Sequence, residues 1–354
     1  MKTKIILSAF IVFALVSCKK DGSHNGAAEQ LQLKDGPLSA QLGKQIYFGD
    51  HGYIKAAPVW GRNSDELFIT TASEILRIDI AAKRVEVLEN SGGVVTGKTN
   101  ENSGIIFLGK INGERGYYEY NFSNNSIEKI IDVPDTLNMF VNIAGNNIFC
   151  YQSKVLPPEP PCYICLPSSL FVQATFYHLD KQTQEITDLK DKHFGLFSTD
   201  GSSAILFSEL ETRLYVFENA SRTIVDSFDR DISSPLFFNN GMLHSFEMDL
   251  QGNITIKNIA SRQVLRQYST NYFAYFNGFQ ASADGTRLCY SGGVLNVNLQ
   301  KILLYNIATN TEKILGDVFY EQGTAMATAT FALSDDNKKM VIQSGKEIYL
   351  KVLE

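Results

Sequence analysis

The sequence is poor in proline, with 9 residues in 354, and it contains one tryptophan and 5 cysteines. Low proline combined with 44% hydrophobic residues is not the composition of a disordered chain, so we expect most of the chain to fold. Charge blocks are missing too, since the formal net charge of −6 is spread without a basic cluster. Nucleic acid is therefore disfavoured as a partner, because phosphate binding needs a clustered basic face.

Motifs for several kinds of chemistry are also lacking. No Gly-x-Ser-x-Gly elbow occurs, and no two of the five histidines stand at the helical spacing of metal ligands. Residues 92–99 match the GxxxxGK[ST] pattern, but a turn and a strand follow where a phosphate-binding loop needs a helix. His178 and His244 fall on predicted strands and are interpreted as structural. We thus predict no catalytic residues, nucleotide, metal or cofactor, and favour a non-catalytic role over an enzyme.

The N-terminus carries two lysines and then a short apolar run from Ile5 to Val16. Such a run is typical of a secretory signal peptide and is too short to span a bilayer, which takes about 20 residues. The segment that ends the run, Leu-Val-Ser followed by Cys18, resembles the lipobox of bacterial lipoproteins. The resemblance implies cleavage after residue 17 and lipidation of Cys18.

Lys19 and Lys20 follow the cysteine, whereas an aspartate there is the familiar inner-membrane retention signal. Resemblance to Gram-negative lipoproteins therefore implies an outer-membrane lipoprotein, facing either the periplasm or the cell surface and touching the membrane only through its anchor. Residues 18–41 contain few large apolar side chains and are predicted to form a flexible tether after the lipidated cysteine. The predicted organisation is a signal peptide over 1–17, the tether over 18–41 and one folded domain over 42–354.

Seven short apolar strands recur along the folded part, each preceded by a turn rich in Gly, Asn or Asp. Equivalent positions in these strands are Phe68, Phe107, Phe149, Leu206, His244, Cys289 and Val341. Their average spacing is about 45 residues, the length of a four-stranded propeller blade. Each of the first six is followed by two apolar segments around a polar turn, which is the pattern of a β-hairpin.

These repeats predict an all-β fold, a β-propeller of seven four-stranded blades, with six or eight blades as alternatives. The seventh unit stops after three strands, so we expect residues 44–48 to supply the fourth and close the ring, because an open ring leaves an unpaired sheet edge. A β-sandwich is the competing fold, but matched units in series are hard to fit to it. No apolar pattern of helical period persists, so helices are not expected.

Residues 198–208 and 282–292 closely resemble the repeat of TolB-type periplasmic propellers, whose blades carry a Ser-x-Asp-Gly turn before an apolar strand. The other five units resemble it loosely. The resemblance implies propeller architecture but hardly any activity, because such propellers serve as partner-binding platforms and also as domains of peptidases and lyases.

One long proline-rich insertion, residues 154–172, links the second and third strands of the third unit. Its Cys162 and Cys165 are interpreted as a small disulfide or two inert thiols in preference to a redox or metal site, because a lone CxxC is a weak signal. Cys150 and Cys289 fall on strands of different units and are expected to be buried thiols.

The insertion is the predicted binding element. Tyr163, Ile164 and Leu166 are expected to present apolar contacts from a stiff loop at low entropic cost. A loop that only covers a neighbouring blade edge is an equal alternative.

We therefore expect a lipid-anchored cell-envelope protein that binds or scaffolds a protein or glycan partner through one propeller face. The alternative is an envelope enzyme acting on a glycan, a lyase or hydrolase, with acidic turn residues gathered at the propeller channel. Two carboxylates about 5 to 9.5 Å apart in a sugar-sized cleft would favour hydrolysis.

Overall fold

The computed structural model describes residues 29–47, 49, 51–99, 102–133, 138–155, 172–180, 182–183, 185–208, 211–229, 234–249, 251–271, 273–293, 299–319, 330–344 and 346–353. In these residues the regular structure is nearly all β, in seven antiparallel sheets, and the one helix is a single turn, α1, at Ser39–Leu42. The sheets are the blades of a seven-bladed β-propeller, as the repeats predict. No helix of the described part is long and apolar enough to cross a membrane.

The strands of each blade, called a to d, follow one another in the chain. In blades 1 to 3 they are Val59–Trp60, Glu66–Thr70, Ile75–Asp79, Arg84–Glu89; Val94–Lys98, Gly104–Ile111, Glu114–Asn121, Ile127–Asp132; Asn138–Ala144, Asn147–Val155, Val172–Asp180, Ile186–Lys190. In blades 4 to 6 they are His193–Phe197, Ser203–Ser208, Arg213–Glu218, Thr223–Asp229; Leu236–Asn239, Met242–Met248, Asn253–Asn258, Val264–Ser269; Phe273–Ala281, Arg287–Gly293, Leu299–Asn306, Thr311–Phe319. Blade 7 takes strands a to c from Phe331–Leu333, Lys339–Ser344 and Glu347–Val352.

The a strands lie innermost, around the propeller axis. Strand a of blade 1 contacts the a strands of blades 2 and 7, and those of blades 2 and 3 and of blades 6 and 7 also touch. Because neighbouring strands are antiparallel, the a–b and c–d turns emerge on one face of the ring, called here the turn face. The b–c loops and the links between blades emerge on the opposite face.

The N-terminus closes the ring, as predicted. Three short strands precede blade 1 in the part of the chain that the structure describes: β1 (Glu29–Gln30), β2 (Gln32–Lys34) and β3 (Lys44–Tyr47). Strand β3 pairs with strand c of blade 7 and completes that blade, while β2 adds a fifth strand beyond it. Strand β1 pairs instead with strand d of blade 1. The N-terminal segment therefore connects the outer edges of blades 1 and 7.

The folded domain begins earlier than predicted, and residues 29–41 belong to it rather than to a tether. Leu31 is 1% exposed and packs in the same apolar cluster as Ile46 of β3. Leu42 is also buried and covers Gly316 of blade 6, where a Cβ atom would stand 2.3 Å from the Leu42 Cδ2 atom. The predicted boundary was wrong because it relied on the average composition of this segment, which is polar. Its isolated leucines are nevertheless buried, because the segment packs and pairs along blades 1 and 7. Cys18 and the rest of the predicted tether lie outside the described residues.

The repeat positions found in the sequence form the core of the blades. All seven marker residues, from Phe68 to Val341, are buried. Strand b of blade 1 is buried along its whole length, since it has a strand on each side and a blade against each face. Continuous apolar runs, rather than strict alternation, are what such doubly covered strands require.

Replacing Ile46 by alanine should lower the free energy of unfolding by about 2 to 5 kcal/mol, because the side chain is buried in the sheet that closes the ring. Ile186→Ala is the matched control: Ile186 is 67% exposed on strand d of blade 3, and surface changes alter stability by about 0.5 kcal/mol or less. Equilibrium urea unfolding measures both effects. Equal losses in the two variants would contradict a stabilising role for β3.

Candidate functional site

A hydrogen-bonded turn recurs between strands a and b on the turn face. In blade 4 the Ser198 Oγ donates to Asp200 Oδ1 at 2.7 Å and accepts from the Ser203 backbone N–H at 3.0 Å. The same two bonds recur in blades 6 and 7, in turns built on Ser282 with Asp284 and on Ser334 with Asp336. The fourth residue of each turn has a positive φ, which glycine, or asparagine in blade 7, adopts readily. The Ser-x-Asp-Gly pattern is thus a structural turn.

The carboxylates of two of these turns are held ionised. Hydrogen bonds from Ser198 and Ser202 lower the pKa of Asp200 to about 2. Burial alone would raise the pKa of Asp284, but the hydrogen bonds it accepts from Ser282 and Thr286 outweigh burial, and its pKa lies below the usual value. Such groups are poor general acids at neutral pH, so they act as fixed negative charges on the turn face.

Polar contacts join several neighbouring blades. The Asn239 Nδ2 of blade 5 donates to the Gly285 carbonyl of blade 6 at 2.7 Å. Between blades 3 and 4, the Arg222 Nη2 donates to the Asp180 carboxylate at 2.8 Å. Blade 5 is thereby fastened to blade 6, and blade 4 to blade 3, on either side of the interface between blades 4 and 5.

That interface differs from the others in its packing. Clusters of buried apolar side chains lie between blades 1 and 2, 2 and 3, 3 and 4, 5 and 6, 6 and 7, and 7 and 1. Within the ranges that the structure describes, no such cluster joins blades 4 and 5. The two blades therefore meet without the shared core that holds the rest of the ring.

The cause is a polar face on blade 5. Its strands b and c read MLHSFEM and NITIKN, and the apolar residues Phe246, Ile254 and Ile256 pack in the cluster with blade 6. Successive side chains of a strand point to opposite faces, so the intervening residues of both strands face blade 4. Apart from Leu243 at the turn end of strand b, they are all polar: Ser245, Glu247, Asn253, Thr255 and Lys257. Blade 5 thus has no apolar surface to pack against blade 4 at these positions.

A cavity opens between blades 4 and 5 at the turn face. Its volume is about 950 Å³, near the upper end of the roughly 300–1,000 Å³ usual for ligand pockets. Its floor is apolar and comes from both blades, with Ile205, Val216 and Phe228 on one side and Phe238 and Leu243 on the other. All but Ile205 are only half-buried, so the floor is accessible to a ligand.

The rim of this cavity is polar and negative. Asp200 and Asp284 are exposed, and they are the only charged side chains among the described residues that line it. Asn240 and Gln263 add amide groups, and Met242 stands 52% exposed at the mouth. The cavity thus surrounds an apolar floor with anionic and hydrogen-bonding groups.

A second cavity of about 430 Å³ lies between the same blades and shares Asn258 and Ile259 with the first. Its charges are paired, since Lys257 Nζ lies 2.8 Å from Glu247 Oε2 and the Ser245 hydroxyl donates to Glu247 at 2.7 Å. We call the two cavities together the blade 4–5 groove.

A third cavity, of about 410 Å³, lies at the inner strands of blades 1, 6 and 7. The Trp60 Nε1 donates to the Ala332 carbonyl there at 2.8 Å, and Lys98 of blade 2 forms an ion pair with Asp335 at 2.5 Å. Asp335 is the one carboxylate among the described residues that line this cavity, and it is neutralised by the lysine. The described part of the chain contains no group of three or more His, Cys, Asp or Glu side chains that could hold a metal ion.

The structure does not test the site residues predicted from the insertion. Those outside the described residues are Cys162, Tyr163, Ile164, Cys165 and Leu166. The insertion does link strands b and c of blade 3, so its ends lie on the face opposite the turn face. Sequence reasoning missed the groove, although the alternation in the two blade 5 strands was a readable signal for it.

Other candidates from the sequence have structural places. Cys150 and Cys289 are buried free thiols, as expected. Five of the eight residues of the GxxxxGK[ST] match, Val94–Lys98, form strand a of blade 2, so the pattern does not lead into a helix. His178 and His244 are both buried, and the Nε2 of His178 lies 2.9 Å from the Asn147 Oδ1.

Comparison with known proteins shows the fold. No protein-family model and no curated protein matches the chain. An oligogalacturonate lyase in complex with manganese is 10% identical with a TM-score of 0.62, covering 92% of this chain and 98% of that one. An oligogalacturonate lyase from Vibrio parahaemolyticus is 10% identical with a TM-score of 0.63, covering 92% and 97%. The Cps50 (Swd1) β-propeller domain of Myceliophteria thermophila is 10% identical with a TM-score of 0.55, covering 92% and 100%.

His178 should make the fold less stable as the pH falls from about 6.5 toward 4. Burial, helped by the nearby Arg222, lowers its pKa to about 4, whereas the unfolded chain takes up a proton below about 6.5. Above about pH 6.5 the imidazole is neutral in both states, and the fold keeps its full stability. Below about pH 6.5 the unfolded chain gains a proton that the buried His178 does not take up, so the free energy of unfolding falls. His178→Gln, which does not titrate, should lose less unfolding free energy than the wild type between about pH 7.5 and about pH 5 in urea titrations. An equal loss in both proteins would count against this assignment.

Proposed function

We propose that this chain is a lipid-anchored binding protein of the cell envelope, held at the outer membrane through Cys18, and that it captures a protein or glycan partner in the blade 4–5 groove. The observation that carries the proposal is the open groove at the interface where the described residues form no shared apolar cluster.

Apolar side chains at the blade 4–5 groove remain partly exposed, whereas those at the other blade interfaces are buried. Val216, Phe228 and Phe238 are half-buried at its floor, although burial of apolar area is worth about 25 cal/mol per Å². Contiguous apolar surface rimmed by polar groups is typical of interaction sites on soluble proteins. A bound partner would cover this floor and restore the missing contacts.

Binding fits the groove better than catalysis does. Its rim carboxylates, Asp200 and Asp284, are engaged by the hydroxyls of their own turns and stay ionised. A general acid needs a pKa near the working pH, and a carboxylate whose pKa is lowered by hydrogen bonds is also a weak base. The rim therefore supplies charge for recognition.

The envelope address rests on the signal-peptide pattern and on the lipobox resemblance that ends at Cys18. Ten residues separate Cys18 from Glu29, the first residue of β1. Even fully extended, this link spans at most about 38 Å. Anchoring at Cys18 would hold the connected outer edges of blades 1 and 7 near the membrane.

Ala260→Trp should abolish partner capture, because Ala260 is exposed on the c–d turn of blade 5 and lines the groove. Ala308→Trp is the matched control, since the Asn-Ile-Ala of residues 306–308 repeats that of residues 258–260 in the corresponding turn of blade 6. Immobilised wild type and both variants are exposed to envelope extract and to a glycan array, and bound material is quantified. Equal capture by all three proteins would remove the groove as the site.

A third variant, with residues 157–167 replaced by a Gly/Ser linker, tests the insertion in the same assay. If the groove is the site, this variant captures as well as the wild type. Loss of capture in this variant alone would assign recognition to Tyr163, Ile164 and Leu166.

The second candidate is an envelope enzyme that acts on a glycan, as a lyase or hydrolase. What favours it is the fold similarity to two oligogalacturonate lyases, one of them in complex with manganese. We expect no unsaturated product when the purified protein is incubated with oligogalacturonate, with or without Mn²⁺. Product formation that survives Ala260→Trp would support this second candidate and contradict the first.

A further inference from the structure

We infer that the occupant of the blade 4–5 groove is an extended segment of a partner protein in which an apolar side chain stands next to a lysine or arginine. The inference rests on the proposed function and narrows it from any protein or glycan to one class of peptide. Charge, floor chemistry and shape of the groove support it separately.

The first cavity of the groove, which opens at the turn face and is called here the turn-end cavity, is lined by charges of one sign. Asp200 and Asp284 line the cavity, and no lysine, arginine or histidine of the described residues does so. Ionised at every pH above the acidic range, these carboxylates attract a cation and repel an anion. An acidic glycan or an acidic peptide is therefore disfavoured there.

The charges of the second cavity do not offset this field. Lys257 is paired with Glu247 at 2.8 Å. Arg262 and Asp229 face each other at 3.9 Å, with both side chains about three-quarters exposed. Because each cation has an anion beside it, the unbalanced negative charge of the groove stays at the turn end.

The floor of the turn-end cavity selects for an apolar group. Ile205, Val216, Phe228, Phe238 and Leu243 offer no side-chain donor or acceptor. A neutral sugar would have to bury hydroxyls against this surface without partners, which costs free energy for every unsatisfied group. An aliphatic or aromatic side chain fits the floor, while a neighbouring ammonium or guanidinium reaches the carboxylates of the rim.

The lining of the groove follows strands b and c of blade 5, which favours an extended chain over a compact ligand. The two cavities adjoin through Asn258 and Ile259, and together they run along blade 5 from the turn face. Asn240 and Gln263 place amide groups at the rim, where they can hydrogen-bond the backbone of a bound segment.

Selection from a randomised peptide library displayed on phage tests the inference. The library is panned on immobilised wild-type protein after depletion on Ala260→Trp, so that only groove-dependent sequences are kept. We expect the enriched peptides to pair a large apolar residue with an adjacent Lys or Arg. Groove-dependent peptides without a basic residue, or no enrichment at all, would overturn the inference.

Two substitutions at one rim position then test the charge directly. Gln263→Lys brings a cation into the turn-end cavity and should weaken binding of a selected synthetic peptide about fivefold, an effect that shrinks at high salt. Gln263→Glu, a side chain of nearly the same size, should bind as well as the wild type or more tightly. Equal affinities for both variants in calorimetric titrations would overturn the charge assignment.

The design separates the inference from the proposed function. If envelope partners are captured through the groove but the selected peptides lack the basic and apolar pair, only the inference fails. If Ala260→Trp captures partners as well as the wild type does, the proposed function fails.

Discussion

A blade in a closed ring has a neighbour against each of its two faces, and this constraint governs most of the structure. Strands b and c must be apolar on both sides, as strand b of blade 1 shows with Leu67, Phe68 and Ile69 all buried. Blade 5 meets the requirement only toward blade 6. Toward blade 4 its strands b and c present Ser245 and Lys257 instead, and these residues line the second cavity of the groove, where apolar core would otherwise lie. A period-two pattern in two short strands therefore gives one of the two cavities of the candidate site its polar lining.

Most of the architecture could be predicted because it repeats. Similar strand-and-hairpin units in series predict a ring, and a final unit without a fourth strand predicts a donor strand from the N-terminal side, which the structure places at residues 44–47. The start of the domain could not be predicted in the same way, since Leu31 and Leu42 are isolated apolar residues in a polar stretch. Their burial depends on the outer blade edges, which exist only once the ring has folded. The alternation in blade 5 was visible, but alone it describes an ordinary half-buried strand. It becomes exceptional only when the other blades show both faces covered.

The serine–aspartate turns serve the fold and the candidate site with the same atoms. In blade 7 the Asp336 carboxylate accepts from Ser334 and also from Ser64 of blade 1, so it helps to hold the ring together. In blade 4 the equivalent Asp200 lies beside the groove and contributes its charge to the rim. The repeat alone does not distinguish these two situations, because the turn is the same and only the neighbouring blade differs.

The pairing of β3 with strand c of blade 7 also has consequences for how the chain reaches its native state. Its partners are about 300 residues apart, and contacts of such high order form late because the intervening loop must first be closed. Blade 7 can be completed only after the last strand has been synthesised. Until then its free edge is a template for intermolecular strand addition. Because β3 must wait for strand c of blade 7, this way of closing the ring prolongs the period during which a newly made chain is vulnerable to aggregation.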